Sequence, residues 1–430
     1  MIGAPVQASR ITVFGAGYVG LVTGVCLAAS GHLVTVLDVD ESKLESLRAG
    51  IVPFHEPELP EVMQRALAAK TLSFAHADAP GAYGEFIFIA VGTPSTLGGS
   101  ADLRFVRTVV EQIAQNAPRN TVVIMKSTVP PGTGALLSEK LAANGVHYVS
   151  NPEFLREGRA VNDWFHTDRI VLGGDTGAVE RVAGLYQNIE APIVAGDISS
   201  AELIKYASNA FLATKISFAN EIANLCDCVD ADVELVMRGV GLDARIGSAF
   251  LAAGIGYGGS CFPKDTRALD FLSSINGHDF HLLKAVIDVN ARQRLLPIMA
   301  LHRRLGDLTG VSVAVLGLTF KPDTDDIRES PAIEIIGMLL AEGADVVAYD
   351  PVGAAVIDAA DFEQAATIED ALRGAGAAIV TTEWEAIATA DWAALTRSMA
   401  SPRLVYDGRN CLDPAAVRAG GGEYLGVGRR

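Results

Sequence analysis

Hydrophobic and polar positions follow two rhythms along this chain. Short apolar runs, of the kind carried by strands covered on both faces, alternate with longer stretches whose apolar residues recur at helical spacing. The run at 11–14 predicts a strand, the glycine turn after it leads into a helix that ends near Ser30, and Gly31 serves as its C-terminal cap. A second strand is predicted at 33–38. Strand, helix and strand in so short a span predict a βαβ opening and a parallel sheet. Further strands are expected at 86–91, 121–126 and 146–150, separated by helices at 103–117 and 134–144. Residues 201–229 keep helical spacing with no Pro or Gly, and 282–304 continue in that style until Pro297 kinks or splits the helix. The strand–helix rhythm returns with a strand at 311–316, a helix opening at Pro331, Gly343, and a strand at 345–349 ending in Asp350. Strands at 377–382 and 404–407 follow, and the glycine-rich tail from Gly420 reads as loose.

Length and composition narrow the class. A chain of 430 residues is too long for one ordinary core, at roughly 150 residues per domain. Half the residues are hydrophobic and 20% are charged, but no apolar run reaches the roughly 18 residues of a membrane span. The first ten residues lack a basic start followed by an apolar stretch, so no secretory signal is expected and a cytoplasmic location follows. Five cysteines without CxxC pairs predict free thiols rather than a disulfide framework or a zinc site. The net charge of −17 argues against nucleic acid or an anionic membrane as partner, and any phosphate-bearing ligand must be met by locally placed Lys and Arg.

The first turn carries a cofactor motif. Gly15, Gly17 and Gly20 form GxGxxG between strand and helix, where the first permits a tight turn, the second admits a pyrophosphate and the third lets helix pack on strand. Asp38, ending the second strand, suits the ribose hydroxyls and repels a 2′-phosphate, which favours NAD over NADP. Lys43, opening the next helix, is either near the cofactor or merely solvated. The loops 91–94 and 126–130 follow strands at the edge where such sheets bind ligands. The fold class expected is α/β, two Rossmann-like doubly wound domains, 1–197 and 305–430, joined by a central helical domain, 198–304, with a long helix. The second α/β domain lacks GxGxxG, with Gly317, Leu318, Thr319 and Phe320 in its place, and is therefore expected to bind a nucleotide sugar rather than a second dinucleotide.

The chemistry-bearing residues gather elsewhere. Cys261 follows a flexible, side-chain-poor loop containing Gly254, Gly256, Gly258 and Gly259, and Lys264 and Asp265 stand just beyond it. A nearby ammonium stabilises a thiolate, so Cys261 is either a nucleophile or a packed structural thiol. Cys26, Cys226, Cys228 and Cys411 lack such company and read as packing. Glu153 and Glu157, four apart after a predicted strand, are either a base with a cofactor contact or two surface glutamates. Lys205 and Asn209 project to one side of the long helix, as a hydrogen-bonding pair aimed at an oxygen or as an exposed polar stripe. Lys321 and Arg328 can close over an anionic ligand. Asp323, Asp325 and Asp326 read as acidic caps before Ser330 and Pro331, and no metal is expected.

In chain order the segments GAGYVGLVTG, VGTP, KSTVPPGT, NPEFLREG, ELIKYASNAFLATKISFANEIA, GIGYGGSCFPKD and GLTFKPDTDDIRESPA resemble the UDP-glucose/GDP-mannose dehydrogenase family from about residue 11 to 410, and within it the branch acting on UDP-glucose. The resemblance implies two NAD-dependent oxidations of a sugar-nucleotide C6 alcohol to the acid, through a thiohemiacetal and a thioester on Cys261, and a homodimer through the central helix. It implies Lys205 and Asn209 as oxyanion stabilisers, with Glu153, Thr128 and Asp265 handling protons and water. Cofactor contacts would come from Val19, Asp38, Lys43, Thr93, Thr128, Glu157, Lys264 and Arg328, beside the three glycines. The sugar nucleotide would touch Glu153, Phe154, Leu155, Lys205, Asn209, the stretch Phe250, Leu251, Ala252, Ala253 and Gly254, then Gly258 and Lys321. Three alternatives stand beside this reading. They are the same chemistry on GDP-mannose or a UDP-N-acetylhexosamine, a single-step β-hydroxyacid dehydrogenase that needs no Cys261, and a cofactor-binding regulator with a dead site.

Overall fold

The computed structural model describes residues 8–79, 83–96, 98–352 and 362–429, so most of the opening segment read above for a signal lies outside it. Two compact units emerge, Met1–Ser208 and Asn209–Arg430.

The first unit is built on eight strands: β1 (Arg10–Phe14), β2 (Leu33–Asp38), β3 (Leu72–His76), β4 (Phe86–Ile89), β5 (Val122–Met125), β6 (His147–Ser150), β7 (Ile170–Gly174) and β8 (Ile193–Gly196). Their order is β3-β2-β1-β4-β5-β6-β7-β8. Strands β4 and β5 are buried at every position, as the apolar runs predict for strands covered on both faces. Helix Arg104–Asn116 buries Val106, Val109, Val110, Ile113 and Ala114, one face at helical spacing. Phe14 lies opposite Leu37 on one side and Ile89 on the other, so the turns after β1, β2 and β4 emerge along one edge. Strand order reverses between β1 and β4, the crevice where doubly wound sheets take ligands.

One expectation needs correcting here: β6 and β7 pair antiparallel. The segment between them carries the NPEFLREG turn and only a six-residue helix, Ala160–Phe165, and doubles back instead of crossing over the sheet.

The second unit has six strands, β9 (Ser312–Leu316), β10 (Asp345–Tyr349), β11 (Glu363–Gln364), β12 (Ala377–Val380), β13 (Leu404–Asp407) and β14 (Glu423–Gly426), in the order β11-β10-β9-β12-β13-β14 and parallel throughout. Strand β14 overturns the expectation of a loose tail. Tyr424 and Val427 are buried, and Arg429 Nη1 donates to the carbonyls of Asn410 and Leu412 at 3.1 and 3.0 Å. Helices His281–Gln293 and Leu296–Leu305 divide where Pro297 predicts, with the proline in the first turn of the second.

The long helix spans Ile198–Val229. Its burial departs from the usual amphipathic arrangement: Glu202, Lys205, Asn209, Ser217 and Asn220 are buried beside Tyr206 and small apolar residues, while Phe211, Phe218 and Leu225 are 66%, 52% and 54% exposed. Among the described residues no helix is long and apolar enough to cross a membrane. Cys26 and Cys226 are packed as expected, but Cys228 is exposed at the end of the long helix.

Candidate active site

In the first unit the glycine turn has the geometry of a phosphate cradle. Gly15 takes φ +98°, a Cβ on Gly20 would meet the Gly15 carbonyl at 1.9 Å, and a Cβ on Gly17 would meet nothing within 4 Å. The first and third glycines are thus fixed by close packing, and the second faces open space before helix Tyr18–Ala29. Asp38 Oδ2 accepts the Ala16 N–H at 2.7 Å and the Lys43 ammonium at 3.2 Å, so Lys43 belongs to this corner rather than to bulk solvent. Val19 and Thr128 are half-buried and Thr93 is buried. The residues present fit a dinucleotide that carries a free ribose hydroxyl.

Glu153 and Glu157 do not share a helical face, because 151–156 is irregular backbone. Glu153 is buried, its Oε1 takes the Lys205 ammonium at 2.9 Å, and its Oε2 takes the Leu155 N–H at 2.6 Å. Burial pushes this carboxyl upward, but Lys205, the Leu155 N–H and Lys126 together hold it below the usual value. Phe154 lies against the Arg169 guanidinium, 3.8 Å from its ring centre, with the Lys205 ammonium at 5.4 Å. The two-surface-glutamates and exposed-stripe readings therefore fail for Glu153 and Lys205.

In the second unit Asn209 Nδ2 donates to Asp265 Oδ2 at 2.6 Å, and Lys264 Nζ donates to Asp265 Oδ1 at 2.8 Å. Both Asn209 and Asp265 are buried. Cys261 is half-buried and is the N-cap residue of helix Phe262–Ile275, which has Pro263 in its first turn; the Ser260 hydroxyl lies 3.6 Å from the thiol sulfur. The positive end of a helix favours a thiolate.

The glycine loop before Cys261 is held by hydrogen bonds from several elements, where its glycines suggested freedom. Gly254 donates to Asn220 Oδ1 at 2.8 Å and accepts from Gln293, Tyr257 donates to Asn290 Oδ1 at 2.8 Å and accepts from Arg294, and Arg409 donates to the Gly256 carbonyl at 3.0 Å. A Cβ on Gly258 would meet the Glu329 carbonyl at 2.3 Å. Glycine is there to let backbones touch.

Along this loop Leu251, Ala253, Gly254 and Gly258 are buried, Ala252 is exposed, and Phe250 sits at φ +63° against the Phe262 ring. Lys321 Nζ lies 5.5 Å from the Phe320 ring centre. Arg328 is exposed and grips Asp326 through Nε and Nη2. The helix opens at Pro331 as expected, but its cap is Ser330 rather than one of the aspartates before it.

Family models for the NAD-binding, central and UDP-binding domains of UDP-glucose/GDP-mannose dehydrogenases match residues 9–190, 199–292 and 314–414. The chain belongs to that family. It is 48% identical to a UDP-glucose 6-dehydrogenase of Bacillus subtilis, over 98% of both chains, and 43% identical to one of Pseudomonas aeruginosa, over 98% of this chain and 97% of that one. Among solved structures, a UDP-glucose dehydrogenase from the hyperthermophilic archaeon Pyrobaculum islandicum is similar along 100% of both chains, with a TM-score of 0.90 and 37% identity. As a member of this family the chain is an NAD-dependent oxidoreductase with a nucleotide-sugar ligand.

Two buried carboxylates escaped sequence reasoning. Glu56 accepts the N–H groups of Gly158 and Ala160 at 2.6 and 2.7 Å and the hydroxyl of Tyr18, tying the NPEFLREG segment to the glycine motif. Glu202 accepts the N–H groups of Gly132 and Gly134 at 2.8 and 2.7 Å, and burial raises its pKa to about 7 against the pull of those donors. Glu202 stands three residues before Lys205 on one helix, the only sequence signal that could have singled it out.

Proposed function

We propose that this chain oxidises the C6 alcohol of UDP-glucose to the carboxylate in two steps, with Cys261 holding the half-oxidised carbon between them. One observation carries the reading. Each polar residue singled out on the long helix pairs, buried, with a carboxylate singled out independently: Lys205 with Glu153, and Asn209 with Asp265. A buried ion pair is a weak source of stability, so chemistry accounts for it better than folding does. The likeness to whole proteins named UDP-glucose 6-dehydrogenase supports the choice of sugar.

NAD, when bound, supplies the two-electron acceptor for each oxidation. The chain would hold it through Gly15, Gly17, Val19, Gly20, Asp38, Lys43, Thr93, Thr128, Glu157, Lys264 and Arg328. Glu153, Thr128 and Asp265 handle protons and position water. Lys205 and Asn209 face the oxygen at C6 as it gains negative charge, and so favour the transition state over the ground state. The Cys261 thiolate adds to the aldehyde carbon to give a thiohemiacetal; loss of two electrons leaves a thioester, and water displaces the thiolate to give the acid. Phe154, Leu155, residues 250–254, Gly258 and Lys321 contact the sugar nucleotide. The reading includes a division at 1–197, 198–304 and 305–430, a cytoplasmic location, and a homodimer. Exposed Phe211, Phe218 and Leu225, seven residues apart on the long helix, support the dimer.

The test is stoichiometric. Two NADH per UDP-glucose and an acid product are expected, with Cys261→Ser stalled. One NADH per sugar, or a fully active Cys261→Ser, overturns the reading. Parallel assays with GDP-mannose and UDP-N-acetylglucosamine decide the sugar.

A further inference from the structure

Behind Glu153 lies a second buried cation to which the mechanism above gives no role. Lys126 follows β5, and its Nζ donates to Asn151 Oδ1 at 3.1 Å, lying 5.4 and 5.8 Å from the ring centres of Trp164 and Tyr186. The same Asn151 oxygen accepts the Tyr186 hydroxyl at 2.6 Å, and Asn151 Nδ2 donates to the Val171 carbonyl at 2.9 Å. Lys126, Asn151, Glu153, Trp164, Arg169 and Tyr186 line one cavity of about 30 Å³, room for one or two waters. An ammonium withdrawn from water needs compensation by charge. Its hydrogen-bond partner Asn151 is neutral, and the anion sharing its cavity and acting on it is Glu153.

We propose that Lys126 is a positioning residue for Glu153: it pins Asn151, and with it the turn presenting Glu153, and its charge keeps that carboxylate ionised opposite Lys205. The proposal rests on the reading of Glu153 as a proton-handling group.

The other charges around the cavity have their own partners. Asp163 is held by Arg156, and Arg169 stacks on Phe154 and donates to Ser208. The Tyr186 hydroxyl is kept protonated by burial. Two ammoniums, the Arg169 guanidinium and one carboxylate therefore set the local balance, a net positive charge that favours an oxygen gaining negative charge. Burial pushes the Lys126 ammonium down to about 8, with Glu153 pulling it up and Lys205 pushing it further down. The support given to Glu153 is thus present at neutral pH and fades above pH 8.

The test reads Glu153 directly. Its ¹³C-carboxyl resonance is assigned with Glu153→Gln and titrated in the full-length wild type, Lys126→Met and Lys126→Arg. Lys126→Met is expected to raise the Glu153 titration, and Lys126→Arg to leave it near wild type. The acid limb of kcat/KM for UDP-glucose should move up by the same amount in Lys126→Met and return in Lys126→Arg. A Lys126→Met protein that only loses thermal stability, with the Glu153 titration and the acid limb unmoved, overturns the proposal. If Lys126→Met does not fold, Lys126→Gln, which keeps a donor to Asn151, decides in the same way. The carboxyl titration needs no substrate, so a chain inactive on UDP-glucose would refute the functional reading and leave this effect measured.

Discussion

Glu56→Gln perturbs one carboxylate that holds three donors from two segments of the first unit. Oε1 takes the Ala160 N–H, and Oε2 takes the Gly158 N–H and the Tyr18 hydroxyl. The residue is 3% exposed, so water cannot replace a lost acceptor. Glutamine has the same shape but turns one oxygen into an NH₂ group. Placed at Oε1, that group opposes the Ala160 N–H and leaves a buried donor unsatisfied, at about 1–3 kcal/mol. The two surviving bonds lose their charge assistance, a further ~1 kcal/mol in total. Flipping the amide brings no relief, since NH₂ then opposes the Gly158 N–H. A loss of about 3 kcal/mol corresponds to a midpoint lower by about 6–12 °C for a unit of this size. Trp164 is the tryptophan of the first unit, and Trp384 and Trp392 lie in the second, so 5-fluorotryptophan ¹⁹F NMR during heating follows each unit separately. The Trp164 transition should fall while the other two stay. A Trp164 midpoint within 1 °C of wild type would refute the argument that this carboxylate is an obligatory acceptor.

Three other perturbations test separate links. Lys205→Met should lower kcat by about two to three orders of magnitude in steady-state assays, as loss of a cation facing a developing oxyanion does; a drop below tenfold counts against that role. Glu202 has a folded pKa of about 7 against an ordinary 4.5, so the folded state holds its proton more tightly and the benefit is full below pH 4.5. That benefit disappears as pH rises through 7, up to about 3 kcal/mol, and Glu202→Gln should flatten this part of the stability–pH curve measured by chemical denaturation. Gly258→Ala forces a Cβ into the Glu329 carbonyl and should cost about 1–3 kcal/mol in the second unit; calorimetry showing no change would mean the loop shifts freely.

The elements that sequence made legible are those with strong periodicity. Strands β1, β2, β4, β5, β9 and β10 fall within a residue or two of their apolar runs, and Pro297 marks a real break. Strand β14 stayed hidden because Gly420, Gly421 and Gly422 announce a loose end, whereas Tyr424 and Val427 just beyond them are held by long-range packing. In the site, residue type revealed Cys261, Lys205 and Asp38. Burial and pairing are decided by residues far along the chain, so Glu56, preceded by His55 and followed by Pro57, looks like any solvated loop glutamate. The glycine loop misled for a related reason. Glycine serves both freedom and close contact, and only Asn220, Asn290, Gln293 and Arg409 disclose which one operates.

The two sheets share a carboxylate at the end of the second strand of each. Asp38 takes the Ala16 N–H, and Asp350 takes the Leu318 N–H at 2.6 Å. The same Asp350 oxygen also receives the Thr319 N–H and hydroxyl and the Trp384 indole N–H, while its other oxygen receives Val352. One oxygen has two lone pairs, so that acceptor is already oversubscribed before any ribose arrives. A GxGxxG turn grafted onto the second sheet would therefore meet a carboxylate oxygen that Trp384 and Thr319 already occupy. A motif search that counts glycines and an acid would not register those donors.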